Sequence, residues 1–139
     1  MKYKFHAYGH PHILGTHKTT LEFTKDGEIS LEGNCIVGVK ADFELSKLRE
    51  LIEKSSNNNI AITIELPDKK IKETILAAIN LNFGDDTELV IRKTNFISKR
   101  TFATSSDKAA FELNREFINF LKEKKSKISV AIENKSINQ

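Results

Sequence analysis

Apolar residues recur at every second position in four separate segments, and no other feature constrains the fold of this chain as tightly. Tyr3, Phe5 and Ala7 alternate with Lys4, His6 and Tyr8. Ile60, Ile62, Ile64 and Leu66 repeat the pattern, as do Ile128, Val130 and Ile132. Between Lys70 and Phe83, the apolar set Ile71, Ile75, Ala77, Ile79, Leu81 and Phe83 falls on odd positions, with Lys72, Thr74, Asn80 and Asn82 among the even ones. A strand points successive side chains to opposite faces, so each segment reads as a strand with one face buried and one in water. Ala77 and Ala78 invite a helix, but the restriction of the apolar residues to odd positions reads as a strand.

The remaining segments are built around these strands. His17 to Thr24 alternates as well, with His17, Thr19, Leu21 and Phe23 on one face. Asp26-Gly27 is a hairpin signal, which predicts a returning strand through Ile29 and Leu31. Cys35 to Val39 is apolar on both faces, as a central strand is. Asp42 to Ser55 reads as a helix, with Asp42 as N-cap and Leu45, Leu48, Leu51 and Ile52 as its stripe. Glu88 to Lys93 is a strand, and Arg100 to Thr104 a short extended piece. Ser106 to Lys125 carries Ala110, Leu113, Phe117, Phe120 and Leu121 at helical spacing and predicts a long second helix. The expected fold is mainly β (α+β): an antiparallel β-sandwich or barrel-like sheet with two covering helices. One domain is expected over residues 1–135, followed by a polar tail at 136–139.

At 139 residues, the chain buries enough surface to fold without a disulfide or structural metal. The single cysteine, Cys35, excludes an intrachain disulfide and points to a reducing compartment. Its apolar strand makes it a buried, inert thiol. No apolar run approaches the roughly 20 residues of a membrane span. The start, MKYKFHAYGHP, lacks the apolar core of a secretory signal, so a cytoplasmic protein with no membrane partner is expected. The net charge is +3, carried by 18 Lys and only 4 Arg. Arg is the residue of bidentate phosphate and base recognition, so this balance argues weakly for base-specific binding. The basic run from Lys122 to Lys127 is accounted for by the dipole at the end of the predicted helix.

Two stretches carry candidate chemistry. In Gly9 to Thr24, three histidines fall within eight residues, and hydroxyls follow at once. His10 and His17 are candidate catalytic acid–base groups. They are also candidate ligands of a divalent metal, with His12 a weaker third. The spacing is not a specific metal signature, and a structured turn whose imidazoles bond carbonyls accounts for it equally. Glu22 faces away from His17 and is not expected to be a ligand. In the second stretch, Arg92 shares a strand face with Val90 and calls for an anion. Ser106 stands at the expected helix start, where free N–H groups favour phosphate or carboxylate, and Arg100 and Lys108 flank it. A structural carboxylate for Arg92 and an ordinary serine cap compete with that reading. Thr19, Thr20, Arg92, Arg100, Ser106 and Lys108 are therefore the candidate ligand-binding residues. If both stretches meet in one pocket, the protein binds a small anionic ligand, with catalysis as an extension. The alternative is an RNA or ribonucleoprotein-associated module, which requires a contiguous lysine face. A third reading is a scaffold domain with no pocket.

GHPHILGTHKTTLEFT at 9–24, GNCIVGVKA at 33–41 and LVIRKTNFISKRTFATSSDKAAFELNRE at 89–116 resemble, in this order, domain-of-unknown-function family 371, a mostly archaeal family. The resemblance implies a mainly β, sandwich-like architecture and no activity. His10, His17, Thr19, Thr20, Glu22, Arg92, Arg100, Asp107 and Lys108 match its motif positions. His12 stands where the family usually has Asn, which favours His10 and His17 over a three-histidine site. Asn34 stands where the family usually has Asp, so no role for an acid beside Cys35 carries over.

Overall fold

The computed structural model describes residues 1–135, so the expected tail at 136–139 lies outside the described residues. The elements in chain order are β1 (Lys2–Tyr8), β2 (Thr20–Thr24), β3 (Ile36–Gly38), α1 (Leu45–Lys54), β4 (Asn59–Leu66), β5 (Ile71–Ile79), β6 (Glu88–Arg92), β7 (Thr101–Thr104), α2 (Arg115–Leu121) and β8 (Lys127–Asn134). The strands form one sheet in the order β1-β8-β4-β5-β7-β6-β2-β3. Its two ends are joined, because Tyr8 and Val39 exchange both backbone hydrogen bonds, at 2.7 and 2.8 Å. The sheet thus curls onto itself in the barrel-like arrangement.

The segments with a period of two are strands, and their apolar faces point inward as expected, except that β5 stops at Ile79 and Leu81 beyond it is exposed. Phe5, Ile62, Ile64, Ile75, Ile79, Val130 and Ile132 all join one apolar cluster. Leu48, Leu51 and Ile52 of α1 and Phe117, Ile118 and Leu121 of α2 enter the same cluster. The architecture is mainly β with two helices, but the sheet is mixed rather than wholly antiparallel, since β2·β3 and β6·β7 run parallel. Neither helix is long and apolar enough to cross a membrane.

Cys35 to Val39 gives the short β3 at the end of the strand order rather than a central strand, since its apolar faces are covered without a ladder on both sides. Three further local expectations fail for physical reasons. The Asp26-Gly27 turn returns no adjacent strand. β2 pairs antiparallel with β6 and parallel with β3, so the chain must travel through residues 25–35 before pairing again. Ile29 packs against the core without a ladder partner, and Leu31 is left exposed. Asp42 is not a helix cap. Its Oδ1 accepts from the His6 N–H at 2.6 Å, and α1 begins after Glu44.

The third is the long helix expected from Ser106, which is broken into an Ala110–Glu112 3₁₀ turn and the shorter α2. The Phe111 N–H, which a helix from Ser106 would direct at Asp107 O, donates instead to His17 O at 3.1 Å, and the preceding residues are bonded to strands. Ser106 N–H donates to Arg92 O at 3.0 Å, and Asp107 N–H to Leu76 O at 2.9 Å. Asn114 then caps α2, accepting from the N–H groups of Glu116 and Phe117 at 2.7 and 3.3 Å. The apolar positions remain at helical spacing and are buried, which is why the pattern suggested one helix.

The histidine-bearing loop is tied to the end of α2. Gly9 N–H donates to Ser126 O at 3.0 Å, and His10 N–H to Leu121 O at 2.8 Å. A Cβ at Gly9 would collide with the carbonyl oxygens of Leu121 and Glu123, so only glycine fits this approach.

Candidate functional site

The site is built on two neighbouring strands. In the β2·β6 ladder, Thr20 faces Arg92, Glu22 faces Val90 and Thr24 faces Glu88. These side chains share the outer face, opposite Leu21, Leu89 and Ile91 of the core. An outward carboxylate is ordinarily solvated, yet Glu22 is only 5% exposed. The loop before β3 closes over it. Glu22 N–H donates to Cys35 O at 2.9 Å, and the Cys35 thiol donates to Glu22 Oε1 at 3.7 Å. Arg100 binds Glu88 at 2.6 Å and reaches Glu22 at 3.8 Å.

These surroundings set the proton affinities. Burial, reinforced by the negative charge of Glu88, pushes the Glu22 carboxyl from 4.5 up to about 7, against the opposing pull of Arg100, the Cys35 thiol and Arg92. Burial and then the Glu22 charge push the Cys35 thiol up to about 12. Arg92 is half-buried. Its Nε donates to Thr101 Oγ1 at 2.9 Å, and its guanidinium lies 4.8 Å from the centre of the Phe96 ring. Burial, followed by the like charge of Arg100, lowers its proton affinity. Among the described residues, Arg92 forms no ion pair, so the structural carboxylate that could have explained it is not among them.

A polar row leads to Arg92 from the histidine stretch. His17 Nδ1 accepts from the Thr19 N–H at 3.2 Å and lies 3.4 Å from the Thr19 hydroxyl. That hydroxyl is 3.2 Å from Thr20 Oγ1, and Thr20 is the ladder partner of Arg92. His17 is anchored through its own backbone to Asn34 O and from the Phe111 N–H, at 3.3 and 3.1 Å. Of the sequence-derived set, His17, Thr19, Thr20, Arg92 and Arg100 are thus brought to one side of the barrel.

Ser106 and Lys108 are engaged elsewhere. The Ser106 hydroxyl donates to Lys108 O at 2.7 Å, and Lys108 pairs with Glu73 at 3.1 Å. No helix begins at Ser106, so the anion site expected on that helix start has no N-terminus to form it.

His10 lies apart, in a small hollow with Glu28, Lys40 and Lys124. It is 3% exposed. Its Nδ1 accepts from the His12 N–H at 3.0 Å, which puts the ring proton on Nε2, facing Glu28 Oε2 at 3.3 Å. His12 Nδ1 donates to Ile29 O at 2.7 Å. Among the described residues, no three His, Cys, Asp or Glu side chains are grouped to hold a metal ion.

Glu22 is the residue that sequence reasoning passed over. Its direction away from His17 is as the alternation implies, and on that ground it was not expected to be a ligand. The one available signal was an acid in the middle of an otherwise apolar and hydroxyl-bearing strand. Its partners Cys35, Glu88 and Arg100 lie 13 to 78 positions away along the chain.

The family profile described as "Domain of unknown function (DUF371)" matches residues 5–135. The chain belongs to this family. An uncharacterized protein of Methanocaldococcus jannaschii is 36% identical over 130 residues, spanning 92% of this chain and 96% of the relative. Membership accounts for the motif segments around Glu22, Arg92 and Arg100 occurring together, and the family description assigns them no activity.

Proposed function

We propose that the protein binds a small anionic compound, a phosphate monoester or a free carboxylate with an apolar body, on the β2–β6 face, with Arg92 as the anion-holding residue. The observation that carries this reading is the state of Arg92: half-desolvated, oriented by Thr101 and Phe96, and without an ion-pair partner among the described residues. A buried guanidinium is costly unless paired, and an anion between Arg92 and the neighbouring Arg100 would offset both desolvation and mutual repulsion. Thr19 and Thr20 supply hydroxyl donors beside it. The exposed side chains of Phe96 and Ile97 supply an apolar flank for the rest of the ligand.

Glu22 is the proton-exchanging group in this reading. Protonated, it adds a donor without a negative charge; ionised, it repels the ligand. Affinity therefore falls as pH rises through about 7. Catalysis on this face would draw on Glu22 and on the His17 imidazole, which contacts Thr19 in the polar row leading to Arg92, rather than on His10.

The test is a titration with inorganic phosphate and with phenyl phosphate, followed through the arginine side-chain resonances. Tighter binding of phenyl phosphate, loss with Arg92→Gln and weakening above neutral pH are expected. Binding that survives Arg92→Gln, or none at millimolar ligand, refutes the assignment.

A further inference from the structure

We propose that the face of the barrel opposite Arg92, formed by β1, β8, β4 and β5, docks double-stranded nucleic acid through its phosphates. These four strands are consecutive in the sheet, half a turn of the strand order away from β6 and β2. The register lines up Lys4, Ala131, Thr63 and Thr74 across them, and Lys2, Glu133, Ala61 and Leu76 in the next outward row. Ala131, Thr63 and Ala61 keep much of the two middle strands low, with Glu133 and Glu65 standing among them, while Lys2 and Lys4 of β1 and Lys72 of β5 stand on the flanks. The result is a trough of about 570 Å³, with Lys2 and Lys4 on one wall and Lys72 on the other. Two further hollows continue it past Lys127 to Lys69 and Lys125.

The charge on this face accounts for that of the whole chain. Its hollows carry seven lysines against four carboxylates, Glu65, Asp68, Glu123 and Glu133. The remaining fifteen cationic side chains are matched by fifteen carboxylates, so the net +3 resides here. Among the described residues, only Lys135 of these seven is in an ion pair, with Glu133 at 2.9 Å. Unpaired lysines gathered on one face are the electrostatic footprint of a polyanion.

Chemistry narrows the polyanion. No aromatic side chain lines the trough, so it offers no stacking platform for the bases of a single strand. None of the four arginines lies in it, so bases are not read and binding is independent of sequence. Three inter-strand steps put the lysine walls about 14 Å apart. That is close to the roughly 12 Å between the phosphate rows bordering a duplex groove. Leu76 is the single large exposed apolar residue at the trough, too little to insert into a lipid bilayer.

The experiment measures binding of the full chain to labelled mixed-sequence DNA and RNA duplexes by fluorescence anisotropy. Neutralising three to four phosphates predicts roughly 40- to 150-fold weaker binding between about 50 and 200 mM salt. A Lys4→Glu, Lys72→Glu double variant should lose at least about tenfold in affinity. A Lys47→Glu, Lys99→Glu variant, with the same net charge but altered outside the trough, should bind like the parent. Circular dichroism confirms that both variants fold. Equal losses in both variants overturn the proposal. So do absence of duplex binding, a clear preference for single strands, or binding only to phosphatidylserine vesicles.

Discussion

Replacing Glu22 by Gln should make the protein more stable, and only above acidic pH. The folded-state carboxyl is raised from 4.5 to about 7 because it is buried beside Glu88. A raised carboxyl pKa means that the folded state holds the proton more tightly than the unfolded chain. Stability is therefore greatest below about 4.5, falls as pH rises from 4.5 to 7, and levels off above. The gap between the two values corresponds to about 3 kcal/mol at pH 8. Gln mimics the protonated acid and titrates nowhere, so the variant lacks this loss. Urea denaturation of both proteins from pH 4 to pH 8.5 gives the difference directly. It should be near zero at the acid end and grow to about 3 kcal/mol, or roughly 10 °C in melting temperature, at the alkaline end. A difference that stays constant with pH, or one in which the parent gains on the variant as pH rises, refutes the reasoning. The latter result would mean that Arg100 and Arg92 outweigh burial and hold Glu22 ionised.

The same environment predicts the behaviour of Cys35. With its thiol at about 12, alkylation at pH 8 should run roughly three orders of magnitude slower than for a free cysteine, and Glu22→Gln should accelerate it by removing the adjacent negative charge. A rate equal to that of free cysteine would show that the loop before β3 does not close over the site. Arg115 donates to the carbonyls of Gly15, Ala110 and Leu113 at 2.9 to 3.1 Å, holding the histidine stretch against the 3₁₀ turn. Arg115→Ala should cost about 2 to 3 kcal/mol and speed amide exchange around residues 13–17 more than in β4. Uniform exchange across the chain would contradict that local role.

The sequence by itself determined the β-rich class and which faces of the strands are inward. A strand's side-chain period is a local property, so Ile60 to Leu66, Ile71 to Ile79 and Ile128 to Ile132 declare their buried faces without reference to any partner. The sequence also singled out His17, Thr19, Thr20, Arg92 and Arg100, because their residue types carry chemistry wherever they fall. Strand order, by contrast, was decided only in three dimensions. Nothing local to Asp26-Gly27 says that β2 will pair with β6 and β3, and nothing local to Tyr8 says that it will bridge to Val39 and close the sheet. The broken helix has the same origin. Helical spacing was present from Ala110 to Leu121, but the Phe111 N–H that an earlier helix would bond internally is taken by the carbonyl of His17, distant in sequence. Glu22 shows the point most sharply. Its direction was local and legible; its burial, and hence its proton affinity, depend on a loop 13 residues later and an arginine 78 residues later. Side-chain direction follows from the backbone of one strand, whereas solvent exclusion follows from whatever the rest of the chain lays over it.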